Sequence, residues 1–149
     1  MEGIATRLGL EPVDQVSYVV EDMDRALVTF QAIYGSFTVI DTELEDTLYR
    51  GRKASVKLRL GFGRSGPLEI ELIQVLAGES PHCEQLDGRG DRAHHVRFRV
   101  TDLEKALEAF LAEGFETIWY KRFEGGGPAF AYVEAPPNPG GPIIELLEM

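Results

Sequence analysis

The stretch GDRAHHVRFRVTDLEKALEAF, residues Gly90–Phe110, has a second version earlier in the chain, DQVSYVVEDMDRALVTF, residues Asp14–Phe30. The two align without a gap and share identical residues at matching positions: Val16 with Val96, Val20 with Val100, Asp22 with Asp102, Ala26 with Ala106, Leu27 with Leu107 and Phe30 with Phe110. In both copies an alternating strand leads into an Asp-containing turn and then into a helix with apolar residues three and four apart. The chain therefore contains an internal duplication.

Each copy is followed by three further predicted strands. The predicted order is strand Val13–Val20, helix Met23–Tyr34 and strands Phe37–Thr42, Ala54–Phe62 and Leu68–Val75, then strand His94–Val100, helix Asp102–Glu113 and strands Phe115–Tyr120, Ala129–Glu134 and Pro142–Glu148, with a loop at Ala135–Gly141 before the last strand. We interpret residues 13–76 as a first βαβββ module, 77–92 as a linker with one helical turn near Glu84, and 93–149 as a second module. This predicts an α+β fold in which each helix covers one face of the sheet.

Composition narrows the function classes. The chain has 149 residues, of which 44% are apolar, enough for one compact domain with a real core. Its formal net charge of −10 argues against unspecific binding to nucleic acid or to an anionic membrane, because both require a positive field. We see no signal peptide and no apolar run that approaches a membrane span, and the single cysteine excludes an internal disulfide. We therefore expect a soluble cytoplasmic protein.

The face of the sheet turned away from the helices is predicted to be polar. Residues two apart on a strand point the same way, so the side opposite Val16, Tyr18 and Val20 and their counterparts can be read from alternation. That side is predicted to carry Gln15, Ser17, Lys57, Arg59, Glu69, Glu71, His95, Arg97, Arg99 and Glu145. Such a face is either the solvated outer side of an antiparallel sheet or a functional site.

Four of these polar residues occupy equivalent positions in the two copies. Gln15 corresponds to His95, and Glu71 (ELIQ) corresponds to Glu145 (ELLE). A pseudo-twofold axis would bring the two pairs around one point. Zinc, nickel, cobalt and manganese accept such a mixed oxygen and nitrogen set. We predict one divalent metal ion held by Gln15, Glu71, His95 and Glu145.

At these residues the chain resembles the vicinal oxygen chelate superfamily, which includes glyoxalase I, methylmalonyl-CoA epimerase, extradiol dioxygenases and antibiotic-resistance binding proteins. The resemblance rests on DQVSYVVEDMDRAL, LEIELIQ, HHVRFRVTDLEKAL, AYVEAP after the glycine turn, and GGPIIELLE. It implies two βαβββ modules whose mixed sheet curls into a cleft around the metal. It also implies a ligand set like that of zinc glyoxalases, with Gln15 as a variant of a more common histidine, and a homodimer.

Two departures from the family pattern bear on the substrate. Glutathione-using glyoxalases typically have an arginine and an asparagine where this chain has Val19 and Val75, which argues against a glutathione substrate. Methylmalonyl-CoA epimerases place a second glutamate near the position of Ala54. A two-base epimerase would therefore need Glu43 or Glu45 to reach the site.

The predicted activity is that of a lyase or isomerase that transfers a proton next to a carbonyl through a chelated enediolate. Glu145 or Glu71 would act as the base, and the substrate would be a small acidic or thioester compound. Four cations would meet its anionic group: Arg97, Arg99, Lys57 and Arg59. The alternative is a metal-free protein that sequesters a small molecule in the same cleft. An extradiol dioxygenase ranks third, because its iron usually takes two histidines.

The remaining polar and aromatic candidates are interpreted as structural. His94 should point away from His95 and be structural or exposed, and His82 and Cys83 should lie on the surface of the linker. Trp119 and Tyr120 either pack within the sheet or line the cleft.

Overall fold

A computed structural model describes residues 1–86, 88, 90–135 and 143–149. Most of the predicted loop at Ala135–Gly141, and Pro142 at the start of the predicted last strand, lie outside the described residues. The helices are α1 (Ile4–Arg7), α2 (Met23–Tyr34) and α3 (Leu103–Ala112), with a 3-10 turn at Pro81–Gln85. The strands are β1 (Gln15–Val19), β2 (Thr38–Tyr49), β3 (Arg52–Ser65), β4 (Leu68–Gly78), β5 (Arg92–Val100), β6 (Glu116–Arg122), β7 (Ala129–Glu134) and β8 (Ile143–Glu148).

In the described part of the chain, the strands form one closed mixed barrel in the order β1-β4-β3-β2-β6-β7-β8-β5. Each half contains one parallel pair, β1 with β4 and β5 with β8, and the halves meet where β1 runs antiparallel to β5. The second junction is short, since β2 pairs with β6 only at Leu48 and Tyr49. The predicted α+β fold with a curled mixed sheet is confirmed, and the curl goes on to full closure.

The register of β1 against β5 has the symmetry that a duplication requires. Val16 faces its own counterpart Val96, while Gln15 faces Arg97 and Ser17 faces His95. Exchanging the two copies maps the Val16–Val96 pair onto itself and interchanges the other two pairs. The module boundaries, at residues 76/77 and 92/93, stay a prediction. Strand β4 ends nearby at Gly78, and β5 begins nearby at Arg92.

Both long helices begin at the predicted aspartates. The Asp22 carboxylate accepts a hydrogen bond from the Arg25 backbone N–H (3.0 Å), and the Asp102 carboxylate accepts one from the Lys105 backbone N–H (3.1 Å). These side chains satisfy backbone donors that the first turn of a helix leaves free. Helix α2 spans the predicted residues and ends at Gly35, whose φ of 87° suits glycine.

Apolar side chains fill three layers, two outside the barrel and one inside. Helix α3 packs against β5, β7 and β8 through Leu103, Ala106 and Phe110, and α2 packs against Val20 and Leu72 through Met23 and Ala26. The third layer lies within the barrel and comprises Tyr49, Val56, Leu58, Ile73, Ile118, Trp119, Phe130, Tyr132 and Ile143. The helices therefore lie outside, and part of the barrel interior is an apolar core.

This inner core reverses the predicted faces of β3. Val56 and Leu58 point into the barrel, because they share a face with Ile73 and Trp119 rather than with a helix. Their neighbours Lys57 and Arg59 consequently point outward, where Arg59 forms a bidentate ion pair with Asp41. The prediction that these two cations share a face with the metal ligands is wrong. It assumed that the apolar side of every strand packs on a helix.

Two glycines on the outer face of β3 make room for α2 and for Phe37, which follows it. A Cβ atom on Gly61 would lie 3.1 Å from Met23 Sδ, and one on Gly63 would lie 2.6 Å from Phe37 Cζ. The apolar residues of β3 thus lie on its inner side, and the small residues on its outer side allow the helix to approach.

Two features were absent from the sequence prediction. The charged stretch after Thr42 continues β2 up to Tyr49, with an irregularity between Leu44 and Thr47 where Asp46 has a φ of 54°. A turn with positive φ at Arg50 (48°) and Gly51 (82°) leads into β3. The short helix α1 was not predicted. Among the described residues, no helix is long and apolar enough to cross a membrane.

Candidate metal centre

The four predicted ligand residues lie on four neighbouring strands of the barrel. Glu71 is on β4, Gln15 on β1, His95 on β5 and Glu145 on β8, and these strands are adjacent in the order β4-β1-β5-β8. All four side chains point into the barrel and are buried, with residue exposures from 1% for Gln15 to 9% for Glu145. A single chain therefore supplies the whole set.

The donor atoms converge on one ring nitrogen. His95 Nε2 lies 3.0 Å from Glu145 Oε1, 3.1 Å from Gln15 Oε1 and 3.7 Å from Glu71 Oε1. The structure thus brings the four side chains together, as the internal symmetry required.

Neighbouring side chains orient the two members contributed by the first half. The Ser17 hydroxyl donates to Glu71 Oε1 (2.9 Å), and the Gln15 amide NH₂ donates to Glu69 Oε1 (2.8 Å). Because the amide nitrogen is bound to Glu69, the amide oxygen of Gln15 faces His95. Both oxygens are therefore held in place before any ligand binds.

Burial shifts the protonation equilibria of this cluster. It raises the pKa of Glu71 to about 8, with a further contribution from the charge of Glu145, and it raises the pKa of Glu145 to about 7, although Arg97 opposes this shift. Burial also lowers the pKa of His95 to about 3, assisted by the charge of Arg97. The imidazole of His95 is therefore neutral at physiological pH, which is the form that binds metals.

The donor set fits a divalent metal ion. Donors bound to one ion at about 2.0–2.2 Å lie about 2.8–3.6 Å from each other, and the contacts of His95 Nε2 with Glu145 and Gln15 fall in this range. Glu71 lies just outside it at 3.7 Å. The two buried carboxylates lie beside a neutral imidazole, and the cation near them, Arg97, is paired with Asp14. A positive charge between the two buried carboxylates would counteract the effect of burial and lower their pKa values again.

Charged side chains lie beside the four residues at one end of the barrel, which we call its mouth. Arg97, next to Glu145 across the sheet, forms a bidentate ion pair with Asp14 (2.9 and 3.2 Å) and lies 3.6 Å from Glu69. Arg99 also binds Asp14, at 2.8 Å. Side-chain exposure rises from 10% for Arg97 to 27% for Asp14, which marks the direction of solvent. Of the four predicted substrate-binding cations, Arg97 adjoins the site, Arg99 lies at its rim, and Lys57 and Arg59 lie outside the barrel.

The prediction for His82 was wrong, and so was the predicted direction of His94. His82 is fully buried on the 3-10 turn, where Nδ1 pairs with the Ser80 hydroxyl (2.8 Å) and Nε2 pairs with the Tyr132 hydroxyl (3.1 Å). His94 is also buried, with Nδ1 2.9 Å from Nδ1 of His95. Cys83 is partly exposed, in agreement with a surface position.

A β-bulge explains the direction of His94. Ser17 faces His95 while Tyr18 faces Ala93, so His94 is an extra residue on β5 and the alternation breaks there. Two successive histidines in an alternating strand are the signal that could have raised this possibility. His82, His94 and His95 form a cluster in which one ring nitrogen of each residue lies within 4.8 Å of the other two. Both nitrogens of His82 have hydrogen-bond partners within the described residues, Ser80 and Tyr132.

No further carboxylate reaches the centre within the described residues. Glu43 and Glu45 are exposed on β2, with Glu43 opposite the outward-facing Lys57. Ala54, near the position where epimerases place a second glutamate, packs against the inner core. The buried carboxylates of the described chain are Glu71 and Glu145. Trp119 lies within the inner core, and Tyr120 lies on the helix side, where its hydroxyl donates to Glu104.

Comparison with known proteins agrees with this architecture. The sequence profile of the Glyoxalase/Bleomycin resistance protein/Dioxygenase superfamily matches residues 14–132. The uncharacterized protein YqjC of Bacillus subtilis (strain 168) is 28% identical over 93 residues, which cover 62% of this chain and 66% of that protein. The chain therefore aligns with slightly less than two thirds of its relative.

Solved structures share the fold at low sequence identity. The hypothetical protein BH1468 of Bacillus halodurans C-125 superposes with a TM-score of 0.65 at 19% identity, over 93% of this chain and 94% of that one. Methylmalonyl-CoA epimerase from Mycobacterium tuberculosis gives 0.63 at 21% identity, over 93% and 88%. A Streptomyces coelicolor methylmalonyl-CoA epimerase variant in complex with 2-nitronate-propionyl-CoA gives 0.59 at 18%, over 93% and 97%. With a family profile that covers most of its length, this chain belongs to the Glyoxalase/Bleomycin resistance protein/Dioxygenase superfamily, the vicinal oxygen chelate proteins.

Proposed function

We propose that this protein is a divalent-metal-dependent lyase or isomerase that transfers a proton at the carbon next to a carbonyl group. The observation that carries the proposal is the convergence of Gln15, Glu71 and Glu145 oxygens on His95 Nε2 inside the barrel. Zinc, nickel, cobalt and manganese all suit this mixed set. When bound, the ion would polarise the substrate carbonyl and make the neighbouring C–H acidic.

Glu145 is the better candidate for the proton-transferring base. Its pKa of about 7 is close to neutral pH, where a base is most effective. Glu71 is the less mobile carboxylate, because the Ser17 hydroxyl holds its Oε1 atom. We therefore assign Glu145 to proton transfer and Glu71 mainly to ligand binding, with Glu71 as a second acid–base group.

Arg97 would bind an anionic group of the substrate. Its guanidinium already holds the Asp14 carboxylate in a bidentate pair beside Glu145, which demonstrates a geometry suited to carboxylate. A substrate carboxylate could take the place of Asp14 at the mouth. Arg99 would assist at the rim, whereas Lys57 and Arg59 have no part in this proposal because they lie outside the barrel.

The substrate class proposed is a small acidic compound or a thioester. The solved relatives that are methylmalonyl-CoA epimerases support the thioester option. Val19 and Val75, at the places where glutathione-using glyoxalases carry polar residues, argue against glutathione. The lack of a third buried carboxylate in the described chain argues for Glu71 and Glu145 as the acid–base pair.

The test combines metal analysis with proton exchange. Protein purified without chelator is analysed for bound metal, and a panel of thioesters and 2-oxo acids is incubated with it in D₂O while loss of the carbon-bound proton is followed by NMR. We expect about one divalent ion per chain and exchange in at least one compound. Glu145→Gln, assayed at saturating metal, should lower the exchange rate by about 10²–10⁴-fold, the usual contribution of a general base.

The matched control is Glu116→Gln, which removes an exposed carboxylate on β6 and should leave exchange unchanged. Unchanged exchange in Glu145→Gln would refute the assignment of the base. A metal-free protein that binds a panel compound without exchange would favour the sequestering alternative. The expected homodimer is part of the proposal and is measured by sedimentation.

A further inference from the structure

The rings of His94 and His95 meet in an unusual way. Nδ1 of His94 lies 2.9 Å from Nδ1 of His95, inside the barrel. A neutral imidazole has one N–H donor and one acceptor nitrogen. In a hydrogen bond between these two atoms, one Nδ1 must therefore carry a proton and the other must not.

His94 has little else to bind. Its side chain is buried, and within the described residues its Nε2 atom has no hydrogen-bond partner. The bulge between Ser17 and Tyr18 brings its ring to the inner face next to His95. Besides an interaction with the Pro81 backbone, its polar side-chain contact is the one to His95, so its proton arrangement is tied to that of its neighbour.

Without an ion, and with Glu145 ionised, one arrangement of protons satisfies the hydrogen bonds of the two rings. His95 Nε2 carries the proton and faces Glu145 Oε1 and Gln15 Oε1, while His95 Nδ1 accepts a hydrogen bond from Nδ1–H of His94. A metal requires the opposite arrangement, because it binds the lone pair of Nε2. The proton of His95 must then be on Nδ1, and Nδ1 of His94 must accept a hydrogen bond from it.

We propose that His94 is a positioning residue that sets the tautomer of His95, and that both rings exchange tautomers together when a metal binds. In the metal-bound form, His95 Nδ1–H donates to His94 Nδ1, and His94 carries its own proton on Nε2. The proton on His94 Nδ1 passes to His95 Nδ1, while His95 Nε2 releases one proton to solvent and His94 Nε2 takes one up, so both rings are neutral in each form. Carboxylates or backbone carbonyls commonly fill this supporting role beside a metal-bound histidine. The inference rests on the proposed metal centre.

The direct test is ¹⁵N NMR of the histidine rings in the ¹⁵N-labelled wild-type protein, with and without Zn²⁺. We expect His95 to change from the Nε2–H to the Nδ1–H tautomer and His94 to change from Nδ1–H to Nε2–H on saturation with zinc. His82, whose nitrogens bind Ser80 and Tyr132, should keep its tautomer and serve as the internal control.

The contribution of His94 to zinc binding is tested by the zinc affinity of variants. His94→Leu removes the acceptor and should weaken zinc binding about 10- to 100-fold, the usual range for a residue that supports a ligand. His94→Asn keeps an oxygen near the position of Nδ1 and should restore most of that loss. His82→Asn is the matched control and should bind zinc as the wild type does. Thermal unfolding of each variant confirms that it is folded.

The outcomes separate this inference from the proposed function. Zinc binding to wild-type protein with unchanged His94 resonances, or undiminished affinity in folded His94→Leu, would overturn the positioning role alone. A wild-type protein that binds none of zinc, nickel, cobalt or manganese would remove the metal centre and this inference together.

Discussion

The two halves of the barrel share their architecture but contribute unequally to the centre. Each has a capped helix, a parallel strand pair and one buried glutamate, Glu71 or Glu145. The first half adds Gln15, a neutral amide fastened to Glu69, whereas the second adds His95 together with the bulged His94. The duplication thus provides equivalent positions, and different residues at those positions make the two sets of side chains chemically unequal.

Exchanging the unequal ligands should have the largest effect. His95→Gln makes the second half resemble the first and should weaken zinc binding by more than about 100-fold, beyond the range of supporting residues, because it removes the nitrogen ligand. Gln15→His makes the first half resemble the second and should hold or increase affinity, since imidazole is a stronger ligand for these metals than an amide. Isothermal titration with Zn²⁺ measures both.

The double exchange, Gln15→His with His95→Gln, sharpens this prediction. If position alone mattered, it would restore wild-type affinity. We expect incomplete recovery, because the first half has no counterpart of the bulged His94. Full recovery would contradict the unequal roles of the halves.

Equivalent positions under the two helices should also respond differently. Gly63 on β3 corresponds to Val133 on β7, since the former pairs with Ile70 and the latter with Ile144. Gly63→Ala should cost about 1–3 kcal/mol of unfolding free energy, because its Cβ would overlap the Phe37 ring. Val133→Ala should cost about 2 kcal/mol by leaving a cavity beneath α3. Chemical denaturation measures both changes.

Gly61→Ala is the control for Gly63→Ala, because the flexible thioether of Met23 rather than a ring meets the new methyl group. It should cost less than Gly63→Ala. An equal or larger cost would show that the Phe37 contact is not the cause.

The glutamates of the two halves should make stability depend on pH. Because folding raises the pKa of Glu71 to about 8 and that of Glu145 to about 7, their stabilising effect is present at low pH and is lost as pH rises through these values. The buried histidines have lowered pKa values, so they cost stability only below their ordinary value near 6.5. From pH 6.5 to 8 the free energy of unfolding of metal-free protein should therefore fall, by an amount on the order of 1 kcal/mol.

Thermal denaturation in chelator at several pH values measures this slope. Within this range, Glu145→Gln should flatten the slope below about pH 7, and Glu71→Gln should flatten it up to about pH 8. Added zinc should stabilise the protein more at pH 8 than at pH 6.5, because fewer protons must leave the carboxylates. A slope unchanged in both variants would assign it to other groups.

The smallest effects should be equal in the two halves. Asp22→Ala and Asp102→Ala each remove one side-chain cap from a helix and should each cost about 1 kcal/mol. Differential scanning calorimetry measures the loss of stability. If the stability losses of the two variants differed by much more than about 1 kcal/mol, the two halves would not unfold as one unit.

Periodic patterns made much of the architecture predictable. Helix α2 and strand β7 have the predicted bounds, because capping aspartates, terminal glycines and short alternating runs are local signals. The meeting of Gln15, Glu71, His95 and Glu145 was also foreseeable, since equivalent residues of a duplicated unit are related by its symmetry axis. Their role as metal ligands stays a prediction until metal is measured.

Other features depend on long-range contacts that no local pattern encodes. The outward direction of Lys57 and Arg59 follows from the apolar core inside the barrel, which makes the apolar side of β3 face inward. The buried position of His82 follows from its contacts with Tyr132 and Trp119, far away along the chain.

By itself, the sequence determined the doubled βαβββ order and the equivalence of Gln15 with His95 and of Glu71 with Glu145. Both follow from the spacing of apolar residues and from the internal repeat, which can be read directly from the chain. Only the tertiary structure decided that the sheet closes around an apolar core and that β5 bulges at His94. Barrel closure and a one-residue bulge are settled by packing and pairing between distant strands. The same closure decided that Arg97, and not Lys57 or Arg59, stands beside the centre.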